Sequence, residues 1–107
     1  LIWKTIEYFQ PKSLIEIGFF AGQTLGLMYE AAGNNSYITS VDINYSRKNI
    51  FDNVFPNSGI EFIETDSKFL SLTNSYDFIQ IDGNHDYEYL KQMNSMNCSK
   101  LQTLHEL

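Results

Sequence analysis

Short apolar segments alternate with helical patterns along this chain, and that alternation restricts its possible folds more than any other feature of the sequence. Four short segments rich in branched and aromatic residues, each bounded by turn-forming residues, are predicted strands: 13–17, 37–43, 60–65 and 76–81. Apolar residues at helical spacing predict helices before Pro11, at 24–32, at 45–55 and at 86–96, with a short helical turn at 68–72. Strands separated by helices pair in parallel through right-handed crossovers. We therefore predict an α/β fold with a mostly parallel sheet covered on both faces.

Length and composition narrow the class of protein. The 107 residues fit one small domain, 1–107, and an apolar content of 43% is enough for a buried core. The formal charge of −6 argues against a nucleic-acid partner, which requires a basic surface. No apolar run approaches the roughly 20 residues of a membrane span. The single Cys98 excludes a disulfide framework, and no secretory pattern is visible, so a cytoplasmic location is expected.

Glycine and polar residues follow the predicted strands, at the sheet edge where ligands of parallel α/β folds bind. In chain order they are Gly18 and Gly22, then Asp42, then Asp66 with Ser67, then Asp82 with His85. A dinucleotide-binding loop needs Gly-x-Gly-x-x-Gly, whereas here Phe20 occupies the place of the middle glycine and would obstruct a pyrophosphate. Asp42 stands where nucleoside-binding sheets accept ribose hydroxyls. The residues indicate an adenosine-containing ligand without a pyrophosphate, which argues against a nicotinamide-dependent oxidoreductase.

The same segments resemble, in order, four motifs of the class I S-adenosylmethionine-dependent methyltransferases. They are 15–24 (IEIGFFAGQT), 40–42 (SVD), 64–67 (ETDS) and 76–87 (YDFIQIDGNHDY). The run Ile-Asp-Gly-x-His-x-Tyr in the last motif is typical of a small-molecule O-methyltransferase-like subgroup. The resemblance implies a Rossmann-like three-layer sandwich, S-adenosylmethionine as cofactor, and methyl transfer to a small-molecule hydroxyl acceptor.

Carried over position by position, the resemblance also implies roles for individual residues. The cofactor-binding residues would be Glu16, Gly18, Phe19, Gly22, Asp42, Asp66 and Ser67. Among these, Glu16 would hold the region around the methionine amino group, directly or through the glycine loop. Asp42 would accept from the ribose, and Asp66 with Ser67 would frame the adenine. Asp82 and His85 would be catalytic, with His85 as a base. Metal-dependent relatives bind a divalent cation such as Mg²⁺ at the position of Asp82, which is therefore also the candidate metal ligand.

Simpler interpretations of these residues remain open. Gly18 and Gly22 could serve only a tight strand-to-helix turn. The aspartates Asp42, Asp66 and Asp82 could be helix N-caps. Three carboxylates at one sheet edge are costly without a ligand, which favours function. His85 could instead order its loop, and Phe19 and Phe20 fit core or lid positions better than stacking partners.

The segment 93–107 departs from the resemblance. It contains neither glycine nor an apolar strand, whereas the family continues with a Gly-Gly turn and a fifth strand. We therefore expect only the first four of the family's seven strands, as in a C-terminally truncated domain, with an irregular tail. An unpaired sheet edge would favour a homo-oligomer. The alternative function is a truncated, non-catalytic S-adenosylmethionine-binding or assembly domain.

Overall fold

Three α-helices and five strands make up the part of the chain that the computed structural model describes, which is residues 2–66, 75–82 and 101–105. The helices are α1 (Ile2–Phe9), α2 (Gln23–Ala32, continued by a 3₁₀ turn at Gly33–Asn35) and α3 (Lys48–Val54). The strands are β1 (Ser13–Ile17), β2 (Tyr37–Asp42), β3 (Glu61–Glu64), β4 (Phe78–Asp82) and β5 (Leu101–His105). The predicted turn at 68–72 and helix at 86–96 lie outside the described residues.

The five strands form one parallel sheet in the order β3-β2-β1-β4-β5. The chain starts at the centre with β1, adds β2 and β3 on one side, and then crosses to add β4 and β5 on the other. The direction of winding therefore reverses between β1 and β4. Ligands of such sheets bind at the carboxyl ends of the strands beside this reversal. The Rossmann-like α/β fold class predicted from the sequence is confirmed.

Both faces of the central strands are buried, as expected for a parallel sheet. On one face, Leu14, Ile38 and Phe78 cluster with Ile6 of α1, Leu25 and Met28 of α2, and Phe51 of α3. On the opposite face, Ile15, Val41, Ile79 and Ile81 cluster with Tyr76. Each fully buried side chain of this size contributes about 1.5–3 kcal/mol relative to exposure. These two clusters hold the strand ends, and therefore the site, in a fixed register.

The start of α3 differs from the prediction by three residues, because polar side chains make turns before the helix begins. The Asn44 amide donates to Oδ1 of Asp42 (3.1 Å), and the Ser46 amide donates to Oδ1 of Asn44 (2.8 Å). Such side-chain bonds compete with helical hydrogen bonding. The helix consequently begins at Lys48 rather than at residue 45.

The four predicted strands are confirmed, but the prediction of an irregular tail after them was wrong. Residues Leu101–His105 form β5, which pairs in parallel with β4 from Phe78↔Leu101 to Asp82↔His105. The segment LQTLH carries a weak strand pattern, which the surrounding polar residues obscured. Pairing with the edge of β4 satisfies backbone groups that would otherwise have no strand partner, and this tertiary contribution outweighs a weak local preference.

Candidate functional site

The loop 18–22 joins β1 to α2 and depends on its two glycines. Gly18 and Gly22 have φ values of 100° and 88°, in the left-handed region. A Cβ atom on Gly22 would lie 2.8 Å from the rings of both Phe19 and Phe51. The Gly18 amide donates to the carbonyl of Val41 (2.8 Å), which anchors the loop to β2. The glycines therefore do shape a tight turn, and they bring the backbone of this loop against the end of β2.

Asp42, the last residue of β2, fastens that loop with its carboxylate. Its Oδ2 accepts from the amides of Phe19 (2.6 Å) and Phe20 (3.1 Å), and its Oδ1 accepts from Asn44. Hydrogen bonds to a charged acceptor are among the stronger ones in proteins. The helix-cap alternative is wrong for Asp42, because the residue preceding α3 is Arg47.

A cleft of about 390 Å³ opens beside this carboxylate. Its lining consists of Phe20, Asp42, Ile43, Asn44, Ser46 and Arg47. Phe20 and Ile43 are large apolar side chains with exposed fractions of 53% and 67%. Small-molecule sites are typically 300–1,000 Å³ and combine apolar walls with a few polar groups. The cleft offers apolar walls for a flat ring and a carboxylate for hydroxyl donors.

A layer of buried polar side chains lies just below the carboxyl edge of the sheet, one or two residues before the strands end. Glu16 of β1 is in register with Ser40 of β2 on one side and with Gln80 of β4 on the other. All three are fully buried. Ser40 shares a hydrogen bond of 3.0 Å with the hydroxyl of Tyr45. Neither polar atom of the Gln80 carboxamide makes a hydrogen bond within the described part of the chain.

Carboxylates are concentrated around Tyr45 at this edge of the sheet. The pKa of Tyr45 is raised far above its ordinary value of 10, first by burial and then by the charges of Asp42, Glu16 and Glu64, against a lowering by the hydrogen bond with Ser40. Three carboxylates therefore act on one partly buried hydroxyl. A cationic ligand group would be favoured here, since it would offset charge that the protein itself leaves concentrated.

The structure brings together most of the predicted cofactor residues that it describes. Glu16, Gly18, Gly22 and Asp42 lie at or just below one edge of the sheet. Asp66 reaches the same edge, because the amide of the preceding Thr65 donates to the carbonyl of Asp42 (2.9 Å).

Phe19 lies at this edge through its backbone only. Its side chain is buried, and its ring centroid lies 5.0 Å from that of Tyr45 and 5.9 Å from those of Phe51 and Phe62. The core interpretation of this side chain is confirmed. Any contact of Phe19 with a ligand must therefore come from its main chain.

Of the two residues predicted to be catalytic, Asp82 and His85, the structure describes only Asp82. Asp82 is the last residue of β4, and the register places it opposite His105 of β5. Ser67 and His85 lie outside the described residues. Over residues 2–66, 75–82 and 101–105, no group of three or more His, Cys, Asp or Glu is arranged to hold a metal ion. Within the same ranges, no helix is long and apolar enough to span a membrane.

Two residues of this site were missed from the sequence. Gln80 interrupts the apolar strand YDFIQI, and a polar residue in a strand buried on both faces is a signal that could have identified it. Tyr45 was assigned to a helix, with no signal in the sequence for its contact with Ser40.

Comparison with known proteins supplies the fold family. No protein-family model matches the chain, and no curated protein matches its sequence. Solved structures do match. A methyltransferase of Podospora anserina with bound S-adenosylhomocysteine superimposes with a TM-score of 0.81 at 21% identity, over 92% of this chain and 46% of that one. The chain has the fold of S-adenosylmethionine-dependent methyltransferases.

Other structures with this methyltransferase fold differ in the reactions that their names describe. The O-methyltransferase TomG of Streptomyces achromogenes, in complex with S-adenosylmethionine, matches with a TM-score of 0.69 at 14% identity, over 89% of this chain and 48% of that one. A Burkholderia thailandensis 1,6-didemethyltoxoflavin N1-methyltransferase matches with a TM-score of 0.63 at 13% identity, over 91% and 48%. The chain thus spans about half the length of the structures that it matches.

Proposed function

We propose that this chain binds S-adenosylmethionine and serves a methyltransferase whose acceptor is a hydroxyl group of a small molecule. The observation that carries the proposal is the carboxylate of Asp42, held by the amides of the glycine loop beside a cleft with apolar walls. A carboxylate at the end of β2 is suited to accept from ribose, and the apolar walls are suited to adenine.

The charge of the site supports this cofactor. Glu16, Asp42 and Glu64 together act on Tyr45, so the sheet edge attracts positive charge. S-adenosylmethionine carries a sulfonium and an ammonium group, whereas a dinucleotide carries negative phosphates. Phe20 occupies the place of the middle glycine of a dinucleotide-binding loop and lines the cleft. The residues present therefore fit the proposed cofactor better than a dinucleotide.

The number of acceptor sites on Asp42 limits how ribose can bind. A carboxylate offers about four lone-pair sites, and backbone amides use three of them. One site is left for one ribose hydroxyl. A second hydroxyl would have to replace one of the two longer bonds, from the amide of Phe20 or from that of Asn44 (3.1 Å each).

We propose that the chain binds and orients the cofactor and that its carboxylates stabilise the positive charge of the cofactor. Glu16, Gly18, Gly22, Asp42, Asp66 and Ser67 would hold the cofactor with the main chain of Phe19. When bound, S-adenosylmethionine supplies an electrophilic methyl group. Holding an acceptor in line with that group accelerates the transfer through proximity and orientation. We propose that His85 accepts the hydroxyl proton and that Asp82 faces the acceptor, with Mg²⁺ as its further partner.

The acceptor class rests on charge and on the matched structures. The net charge of −6 disfavours a polyanionic acceptor such as a nucleic acid. The Burkholderia structure holds the small molecule 1,6-didemethyltoxoflavin, and TomG is named an O-methyltransferase. From these observations together, we propose that the acceptor of this chain is a small, hydroxylated molecule.

Calorimetry with S-adenosylhomocysteine tests the binding part of the proposal. Asp42→Ala should weaken binding about tenfold or more, because the acceptor for ribose is lost. Asp77→Ala is the matched control, since Asp77 also accepts from a backbone amide, that of Lys12 (3.0 Å), at the opposite end of the sheet. Equal losses in the two variants, or tighter binding of NAD than of S-adenosylhomocysteine, would refute the proposed site.

Turnover separates the enzyme from a non-catalytic binding domain. Release of S-adenosylhomocysteine is measured with a panel of hydroxylated small molecules, with and without Mg²⁺. The proposal predicts turnover with at least one acceptor, a loss of about a hundredfold in His85→Ala, and loss of the Mg²⁺ response in Asp82→Asn. Tight cofactor binding with no turnover across the panel would favour the binding domain instead.

A further inference from the structure

The carboxamide of Gln80 has hydrogen-bonding capacity that the described part of the chain does not use. Gln80 lies in the middle of β4 and is fully buried, yet its Oε1 and Nε2 make no hydrogen bond there. Buried polar groups in native proteins are almost always satisfied, so an exception calls for an explanation. Ser40 in the same layer and Thr39 on the opposite face both have hydroxyl partners.

The register places this carboxamide beside Glu16. Gln80 and Glu16 are paired on adjacent strands and share the sheet face that carries Phe78. Alternation along β4 puts Gln80 on the same face as Phe78, two residues nearer the carboxyl edge. Gln80 thus lies between the apolar core and the carboxyl edge, on the strand next to the reversal of winding.

The chemistry of the pair fits one end of the proposed cofactor. A carboxamide both donates and accepts, and a carboxylate attracts a cation. An amino-acid group presents an ammonium and a carboxylate together, which is the complement of such a pair. Neighbouring strands lie about 4.8 Å apart, so β4 is about 10 Å from β2, where the ribose acceptor Asp42 lies. One ligand with adenosine at β2 and an amino-acid group toward β1 and β4 would span this edge.

We propose that Gln80 is a cofactor-binding residue that hydrogen-bonds the amino-acid end of S-adenosylmethionine, next to Glu16. This inference rests on the proposed function and deepens it. It divides the site into an adenosine part, served by Asp42, and an amino-acid part, served by Glu16 and Gln80.

The test compares two ligands that differ only in the amino-acid end. S-adenosylhomocysteine has it, and 5′-methylthioadenosine keeps the adenosine and the sulfur without it. In Gln80→Leu, the affinity for S-adenosylhomocysteine should fall about tenfold to a hundredfold, while that for methylthioadenosine stays within about twofold. The same variant should have a higher Tm without ligand, because two unsatisfied buried atoms are removed. Gln80→Met, unbranched and similar in size, should behave alike if leucine does not pack.

Variants of neighbouring residues serve as controls that distinguish the role of Gln80 from theirs. Thr39→Val removes a buried hydroxyl that has a partner in Tyr76 (3.1 Å), so it should lower the Tm and leave both affinities unchanged. Asp42→Ala should weaken both ligands. Unchanged S-adenosylhomocysteine affinity in both Gln80 variants, or equal losses for the two ligands, would overturn the inference. If the unmodified chain binds neither ligand, the proposed function itself fails.

Discussion

Replacing Gly22 with alanine perturbs the glycine loop where its packing is tightest. Gly22 has a φ of +88°, and an added methyl group would lie 2.8 Å from the rings of Phe19 and Phe51. A left-handed backbone costs a non-glycine residue about 1–2 kcal/mol. Forcing an extra methyl group into a packed core costs about 1–3 kcal/mol more. The free energy of unfolding should therefore fall by about 2–5 kcal/mol, a large part of the ~5–15 kcal/mol typical of a domain.

Gly59→Ala is the matched control for this variant. Gly59 also has a positive φ, +77°, but an added Cβ would meet no atom within 4 Å. It should lose only the backbone part, about 1–2 kcal/mol. Urea unfolding followed by far-UV circular dichroism measures both variants. Equal losses would refute the argument that the rings of Phe19 and Phe51 fix the identity of residue 22.

Three further predictions concern the edge of the sheet. Because the pKa of Tyr45 is raised, its contribution to the free energy of unfolding is complete below pH 10 and is lost as the pH rises above that value. In denaturation experiments between about pH 9.5 and 11.5, Tyr45→Phe should therefore lose stability less steeply with pH than the unmodified chain. An unchanged dependence of the unfolding free energy on pH would contradict the burial of Tyr45. Phe20→Ala removes an exposed wall of the cleft, so it should change the free energy of unfolding by no more than about 0.5 kcal/mol while weakening S-adenosylhomocysteine several-fold; a large loss of stability would place Phe20 in the core. Amides of β5 that face β4 should exchange slowly with deuterium, and rapid exchange throughout Leu101–His105 would contradict the fifth strand.

The sequence allowed the central fold to be predicted because its local signals agree with the tertiary structure. Branched apolar residues make 13–17 a strand, and Pro11 and Gly18 bound it. Asp42 could be assigned to the site because parallel strands bring their carboxyl ends to one edge. The strand β5 could not be predicted, since an edge strand is stabilised by its neighbour rather than by its own residues.

The details of the site depend on contacts that a linear pattern does not contain. Phe19 was expected among the cofactor residues, and the structure turns its ring into an aromatic cluster. Gln80 matters because β4 lies next to β1, a neighbour that is 64 positions away in the register pair Glu16↔Gln80. The charge acting on Tyr45 comes from three different strands. Such features arise only when the strand order is known.

The most direct test of the proposed site is a titration of the ¹⁵N-labelled chain with S-adenosylhomocysteine, followed by amide chemical shifts. The amides of Phe19, Phe20 and Asn44 all donate to Asp42, so they report on any ligand that uses its carboxylate. The Lys12 amide donates to Asp77 at the far end of the sheet and serves as the internal control. Saturable shifts are expected at the three Asp42 donors, with little change at Lys12. Saturation with no shift at Phe19, Phe20 or Asn44 would contradict the proposed site.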